Sequence, residues 1–131
     1  QMEKTGVLNP VRKGNRVLYG EDDIRLVECF AKIREAGFSD EMGWDAQVLS
    51  VYRDFLQRLV EEEAKILMSG VAGRVSVEKL TKMVEDGTVI LNSMIGLIRK
   101  KLIVETVRRY TTEFQERIMM GESPVALVSE E

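Results

Sequence analysis

Histidine is absent from this chain of 131 residues, and cysteine occurs only once, as Cys29. A single cysteine cannot form an intramolecular disulfide, and zinc sites built from cysteine and histidine lack their ligands. Mechanisms that use an imidazole as the general base are excluded as well. The sequence also lacks an obvious carboxylate pair, a nucleophile with its base, or a glycine-rich phosphate loop. We therefore expect a protein that is not an enzyme, with no catalytic residue, no metal site and no cofactor.

Long apolar runs are missing too, since the longest spans four residues, at 125–128. A helix needs roughly 20 apolar residues to cross a bilayer, and no signal peptide opens the sequence. The length is typical of a single domain. We expect one globular domain that does not enter the membrane and lies in the cytoplasm.

The net charge of −3 is distributed unevenly along the chain. Residues 1–20 carry four basic side chains and one acidic one, whereas residues 21–69 carry six basic and twelve acidic ones. Only the first segment favours binding to phosphate groups. The basic run at 99–101 has no interleaved aromatic residue, so we expect a solvated helix face there rather than a nucleic-acid site.

Short-range patterns predict a small hairpin followed by helices. Gly14-Asn15 separates two short runs that favour β-structure, which is typical of a hairpin turn. Helical spacing of apolar residues then predicts helices at 21–36, 45–69 and 76–119. Ser39 and Ser76 are the expected N-caps, and Gly6 is expected to end a helix that begins before it.

Two features of the 76–119 region leave alternatives open. Gly87 either permits another helix to approach closely or splits the region into a short and a long helix. Residues 103–118 are rich in Val, Ile and Thr, which favour strands, but their apolar residues recur every three or four positions. The period therefore predicts helix for this segment.

The 45–69 helix carries an apolar stripe about seven turns long, which exceeds what one short neighbouring helix could cover. The residues of this stripe that we expect to mediate self-association are Tyr52, Phe55, Leu56, Leu59, Ile66 and Leu67. Glu63 lies near the middle of the stripe, because it follows Leu59 by four residues and precedes Ile66 by three. A carboxylate in that position costs free energy unless it is paired or hydrated.

The N-terminal third resembles the MerR family of bacterial transcription regulators. The resemblance rests on the order and spacing of Glu3, Lys4, Gly6, Val7, Leu8, Pro10, Arg12, Tyr19, Asp23, Ile24, Phe30, Ile33, Arg34 and Gly37-Phe38-Ser39. It covers about 38 residues, or less than a third of the chain. One departure is that family members usually place an arginine two residues before the tyrosine that ends the wing, where this chain has Val17 and places Arg16 one residue earlier.

Such a resemblance implies an all-α fold: the remnant of a winged helix-turn-helix with a small wing hairpin, then a long dimerisation helix and a helical C-terminal bundle. Only residues 1–5 of the recognition helix would be present, and the rest of the helix-turn-helix would lie upstream. We expect a partial winged helix-turn-helix at 1–39, a helical dimerisation and effector region at 40–120, and a flexible tail at 121–131.

The implied partners are double-stranded DNA for the full-length protein, a second copy of the chain, a small-molecule effector and RNA polymerase. Contacts with the DNA backbone are assigned to Arg12, Lys13, Arg16 and Tyr19. A speculative effector pocket would be formed by Glu63, Tyr52, Met83 and Met94, with a core or rim position for Glu63 as the alternative. Cys29 is expected to be a small core residue, which disfavours metal sensing.

Two functions follow as hypotheses. The first is a DNA-binding regulator whose helical region dimerises and senses an effector. The alternative is a helical protein-interaction or dimerisation module without a role in DNA binding.

Overall fold

The structure, a computed structural model, describes residues 2–121, which are mostly helical apart from one two-stranded hairpin. The predicted mainly α-helical class is confirmed at that level. The chain divides into two compact units, Gln1–Ala72 and Gly73–Glu131. Of the predicted tail at 121–131, residues 122–131 lie outside the described residues.

The first unit opens with a 3₁₀ turn, Met2–Thr5, that ends at Gly6. Gly6 has a φ of 78°, the left-handed conformation in which glycine commonly terminates helical structure. The predicted helix end is therefore confirmed, although the turn that precedes it is 3₁₀ rather than α-helical.

The predicted hairpin is confirmed. Strand β1, Val11–Lys13, pairs antiparallel with strand β2, Arg16–Leu18, so that Gly14-Asn15 forms a two-residue turn. Gly14 has a φ of 62°, which two-residue hairpin turns require and which glycine adopts without steric cost. All six residues of the two strands are exposed, so the hairpin is an exposed element.

Helix α1, Glu21–Glu35, begins with three acidic residues that complement the positive end of the helix dipole. It ends one residue before the predicted boundary. Beyond it the backbone amide of Gly37 donates to the carbonyl of Arg34, and Gly37 has a φ of 110°. Cys29 is exposed on α1, so the prediction that it is a core residue is wrong.

The connection after α1 is more structured than the sequence predicts. It contains a 3₁₀ turn, Asp40–Met42, whose N-cap Ser39 makes no capping hydrogen bond with its side chain. The carbonyl of Ser39 instead accepts from the backbone amides of Met42 and Trp44. The carboxylate of Asp45 accepts from the amide of Gln47 at 2.9 Å, which closes a turn ahead of the next helix.

Helix α2, Val48–Val71, therefore begins three residues later than predicted and ends two residues later. Gly70 remains inside the helix, and the break falls at Gly73, whose φ is 69°.

Helix α3, Val77–Met119, forms nearly all of the described part of the second unit. The hydroxyl of Ser76 accepts from the amide of Lys79 at 3.2 Å, which confirms the predicted N-cap. The helix runs through Gly87 without a break and includes 103–118. The predicted C-terminal bundle is wrong for residues 73–121, because they contain one long helix rather than several packed ones.

The apolar residues of α3 form two stripes instead of one. At 100° per residue, Leu80, Val84, Leu91 and Ile98 share one face, whereas Val107 and Tyr110 lie roughly 100–160° around the axis from Leu91. The face changes next to the basic run at 99–101. Sequence periodicity detects each stripe, but only the continuity of the helix shows that they point in different directions.

Buried residues are few and lie in the first unit. Among residues 2–121 the buried side chains are Thr5, Leu8, Asp23 and Ala46. They belong to the 3₁₀ turn, the loop before β1, the first turn of α1 and the segment just before α2. None of the helices between residues 2 and 121 has a segment long and apolar enough to cross a membrane.

Substitutions of glycine test this backbone description. Gly14→Ala places a side chain in open space at positive φ and should destabilise the first unit by about 1–2 kcal/mol. Gly6→Ala should destabilise the first unit more than Gly14→Ala does, because the new Cβ would also lie 2.8 Å from Nε of Arg53 and displace that side chain. Gly70→Ala, inside α2 and without a close neighbour, should stabilise by about 0.5–1 kcal/mol.

Urea unfolding of the three variants, followed by circular dichroism, measures these changes. Equal destabilisation by Gly6→Ala and Gly14→Ala would contradict the close approach of Arg53 to Gly6.

Candidate nucleic-acid interface and self-association faces

The strand register determines how the three basic side chains of the hairpin are arranged. Lys13 pairs with Arg16, and Arg12 pairs with Val17. Residues directly opposite each other in an antiparallel pair project from the same face, and neighbours along a strand project from opposite faces. Lys13 and Arg16 therefore share one face beside the turn, whereas Arg12 lies on the other. The hairpin presents two cations together and one apart.

Lys13 and Arg16 form a like-charge pair that is unfavourable for the hairpin itself. Both are exposed, and neither they nor Arg12 forms an ion pair with a described residue. By contrast, Arg25 on α1 lies 2.8 Å from the carboxylate of Glu21. The hairpin cations are thus available for an external anion, and such an anion would relieve their mutual repulsion.

Tyr19 does not present its hydroxyl to solvent as a free donor. Its Oη donates a hydrogen bond to Oε1 of Glu3, which joins the end of the hairpin to the 3₁₀ turn. This hydrogen bond, together with the negative charge of Glu3, raises the pKa of Tyr19 above its ordinary value of 10.0. In this structure the predicted DNA-contact residue Tyr19 acts as a tether that orients the hairpin.

Further polar contacts fix the base of the hairpin. Asp23, in the first turn of α1, is buried, and its carboxylate accepts from the backbone amide of Asn9 at 2.9 Å. From the other side, Nε of Arg53 on α2 donates to the carbonyl of Gly6 at 3.3 Å. These bonds hold both ends of the loop that leads into β1, so the hairpin is anchored to two helices.

An aromatic cluster joins the segment that follows α1 to α2, and sequence reasoning missed it. The ring of Trp44 packs edge-on against Phe38 with a centroid distance of 4.9 Å, and lies 6.3 Å from the ring of Tyr52. Trp44 lies outside any periodic apolar stripe. The only signal for it was its position, as the single tryptophan, between two helices.

The predicted self-association stripe lies along α2 and is largely uncovered. The side chains of Tyr52, Phe55, Leu56, Leu59 and Ile66 are exposed, and that of Leu67 is half-buried. Phe55 and Ile66 expose 64% and 73% of their surface. Apolar residues at this spacing normally face a neighbour, and the described residues of the first unit do not supply one for this face of α2.

The four residues of the speculative effector pocket do not form one site within either unit. Tyr52 and Glu63 both lie on α2, eleven residues or about 16 Å apart along the axis, and Met83 and Met94 are separated equally on α3. Glu63 is half-buried on the apolar stripe and forms no ion pair with a described residue. The role of Glu63 as an anchor for an effector stays a prediction.

A shallow depression does lie on the surface of α2, but it excludes Glu63. Its lining consists of Phe55, Arg58, Leu59, Glu61 and Glu62, with the guanidinium of Arg58 5.8 Å from the ring centroid of Phe55. Within residues 2–121, no group of three or more cysteine, aspartate or glutamate side chains is placed to hold a metal ion.

Comparison with known proteins finds no matching family model, no matching curated protein and no matching solved structure.

The tether between Tyr19 and Glu3 predicts a pH dependence. Because the pKa of Tyr19 is raised in the folded state, the stability that the bond contributes is present below pH 10 and is lost as the pH rises through the raised value. Glu3→Gln removes the charge and should lower the pKa of Tyr19 towards 10.0.

Carbon-13 NMR of ring-labelled tyrosine across pH 8–12 measures the change, with Tyr19→Phe assigning the signal. Glu61→Gln, a carboxylate on an exposed part of α2, is the control and should leave the titration of Tyr19 unchanged. An unchanged pKa in Glu3→Gln would contradict the tether.

Proposed function

We propose that this chain is part of a DNA-binding transcriptional regulator and that its hairpin is a wing that contacts the DNA backbone. The observation that supports the proposal best is the exposed, unpartnered pair Lys13 and Arg16, placed directly opposite each other on an anchored hairpin. The resemblance of residues 3–39 to the MerR family supports the same assignment.

The chemistry of the wing is suited to phosphate oxygens. Lysine and arginine bind phosphates through charge-assisted hydrogen bonds, and these contacts orient a protein on DNA without identifying its sequence. Lys13 and Arg16 would bind the backbone on one face of the wing, and Arg12 would bind from the other. Tyr19 would contribute indirectly, because its bond to Glu3 holds the wing in position.

A helical region for dimerisation and effector sensing completes the proposal. The uncovered stripe of α2 supports self-association, with Leu59 near its centre. The wing contacts would not identify bases, so binding by residues 1–131 through the wing is expected to depend on charge and to be insensitive to sequence.

The second candidate is a helical interaction module without a role in DNA binding. The observation that favours it is the amount of exposed apolar surface on α2 and α3, which suits protein partners rather than DNA. Binding to DNA separates the two candidates, because an interaction module has no reason to depend on the wing cations.

Weak, salt-sensitive DNA binding through the wing is the first expected outcome. Neutralising one phosphate contributes about −0.9 to the slope of log K against log salt concentration. Lys13→Ala/Arg16→Ala should therefore flatten that slope by about 1.8, equally for unrelated duplexes. Fluorescence anisotropy of labelled duplexes at several salt concentrations measures the slope.

The matched control is Arg25→Ala/Lys32→Ala, which removes the same charge from α1. This variant should leave the slope close to that of the wild type. A slope that falls equally in both variants would assign binding to net charge and count against a wing. Nanomolar, sequence-selective binding by residues 1–131 would contradict binding through backbone contacts of the wing alone.

Self-association through α2 is the second expected outcome. The wild-type chain at tens of micromolar should sediment at about twice its mass of 14.9 kDa or more. Leu59→Asp places a charge in the centre of the stripe and should raise the dissociation constant at least tenfold, because the carboxylate would have to be desolvated.

Met68→Asp is the control, since Met68 is also exposed on α2 but lies on the side of the helix opposite Leu59. Equal effects of the two substitutions, or a wild-type monomer at these concentrations, would contradict self-association through this face.

A further inference from the structure

The C-terminal half of α3 carries an apolar stripe that is distinct from that of its N-terminal half. This C-terminal stripe consists of Ile103, Val107, Tyr110, Phe114 and Ile118. At 100° per residue its members fall within an arc of about 80° around the helix axis. All five side chains are exposed. Within residues 73–121, which contain no helix or strand besides α3, no element covers them.

Basic side chains border the C-terminal stripe, whereas acidic ones lie far from it. Arg99 and Lys100 lie about 60° and 40° from the centre of the stripe, on opposite sides of it. Arg117 lies about 60° from the centre near the other end of the stripe. The remaining charges of the segment lie about 100–180° from the centre and balance one another; they are Lys101, Arg108 and Arg109 with Glu105, Glu113 and Glu116. The excess positive charge therefore lies beside the stripe.

Two of the bordering cations are available to an external anion. Arg99 and Lys100 are exposed, and neither forms an ion pair with a described residue. In the N-terminal half of α3, by contrast, Nζ of Lys82 lies 3.7 Å from the carboxylate of Asp86. Residues 77–98 carry two basic and three acidic side chains, whereas residues 99–118 carry six basic and three acidic ones. The C-terminal half of α3 is thus a basic, amphipathic segment of a chain whose net charge is −3.

We propose that residues 99–118 bind the surface of an anionic lipid bilayer, with the helix axis parallel to that surface. An amphipathic helix in this position buries its apolar face to a depth of about 5–10 Å, at the boundary between headgroups and acyl chains. The C-terminal stripe provides this face, and Arg99 and Lys100 meet headgroup phosphates on either side of it. The far side of the helix remains in water. The inference depends on neither DNA binding nor the stripe of α2.

The distribution of charge favours a bilayer over other occupants. A second copy of this segment offers no carboxylate beside its own stripe, so pairing two stripes would bring cations against cations. An acidic protein would need carboxylates on both sides of an apolar groove, whereas a bilayer presents phosphates along both edges of an inserted helix. Tyr110, within the stripe, combines an apolar ring with a polar hydroxyl, and such side chains are enriched at membrane interfaces.

Removal of the bordering charge tests the electrostatic part of the proposal. The wild-type chain should bind vesicles of phosphatidylcholine with about 30% phosphatidylglycerol, and should bind pure phosphatidylcholine about tenfold more weakly or less. Arg99→Gln/Lys100→Gln should lower the partition coefficient for the anionic vesicles by about 30-fold, because each basic residue near the surface contributes about fivefold. Cosedimentation with vesicles measures the partition coefficient.

Lys79→Gln/Lys82→Gln is the matched control, since it removes the same charge from the N-terminal half of α3. It should leave the partition coefficient within about twofold of the wild type, because these residues lie outside the bound segment. Repeating the series in the Lys13→Ala/Arg16→Ala background separates this surface from the hairpin. Equal losses in the two glutamine variants, or no binding of the wild type to the anionic vesicles, would overturn the proposal.

Phe114→Ser tests the apolar part of the surface. It should lower the partition coefficient by on the order of tenfold, because the ring no longer enters the bilayer. Met119→Ser is the control, since Met119 is also exposed but lies about 140° from the centre of the stripe. Circular dichroism measures whether both variants keep the helix. Equal partition coefficients of the two helical variants would count against insertion of the stripe.

An environment-sensitive dye tests the orientation of the helix in the wild-type stripe. Thr111 and Thr112 are adjacent but lie about 60° and 160° from the centre of the stripe. With Cys29→Ser as background, a dye attached at Thr111→Cys should shift its emission to the blue when anionic vesicles are added, and one attached at Thr112→Cys should change little. Equal shifts at the two positions would overturn the proposal. Soluble polyglutamate that binds as tightly as the vesicles would instead assign the surface to an acidic protein.

Discussion

A helix in water gains little from its backbone hydrogen bonds, because folding exchanges them for bonds to solvent, and most of its stability comes from covering an apolar face. That requirement governs this protein. Among residues 2–121 only four side chains are buried, while α2 and α3 together display long stripes of exposed Leu, Ile, Val, Met and aromatic residues. In the proposed function a second copy of the chain would cover the stripe of α2.

The N-terminal part of the first unit is stabilised in a different way. Its small core is bordered by directed polar contacts, from Asp23 to the amide of Asn9, from Arg53 to the carbonyl of Gly6, and from Tyr19 to Glu3. Such bonds define orientation more than they add free energy. They present a two-residue turn with cations on both faces, which is what a phosphate-binding wing needs. In the proposed function the helices would mediate self-association and the hairpin would bind phosphate groups.

Periodicity and turn chemistry predicted the hairpin at Gly14-Asn15, the three helical segments and the Ser76 cap, because each depends on residues close in sequence. The entry to α2 was misplaced because helical periodicity reports neither the local turn that the carboxylate of Asp45 closes with the amide of Gln47 nor the packing of Trp44 against Tyr52. The prediction of a C-terminal bundle was wrong because the spacing of apolar residues does not show whether one helix or two pass through Gly87. The structure has one continuous helix there. The uneven charge along the sequence identified Arg12, Lys13 and Arg16 as candidate phosphate-binding residues. Only the strand register shows that Arg12 lies on the opposite face of the hairpin from Lys13 and Arg16.

Amide hydrogen exchange in α2 tests the proposed self-association most directly, since protection of residues 52–67 reports whether the apolar stripe of that helix is covered. If a second copy covers the stripe, protection should increase with protein concentration and approach a limit as the dimer saturates. Residues of α1, such as Phe30, should exchange at rates that depend much less on concentration. Fast exchange of 52–67 at every concentration, or slow exchange that does not change between 1 and 500 μM, would contradict self-association through α2.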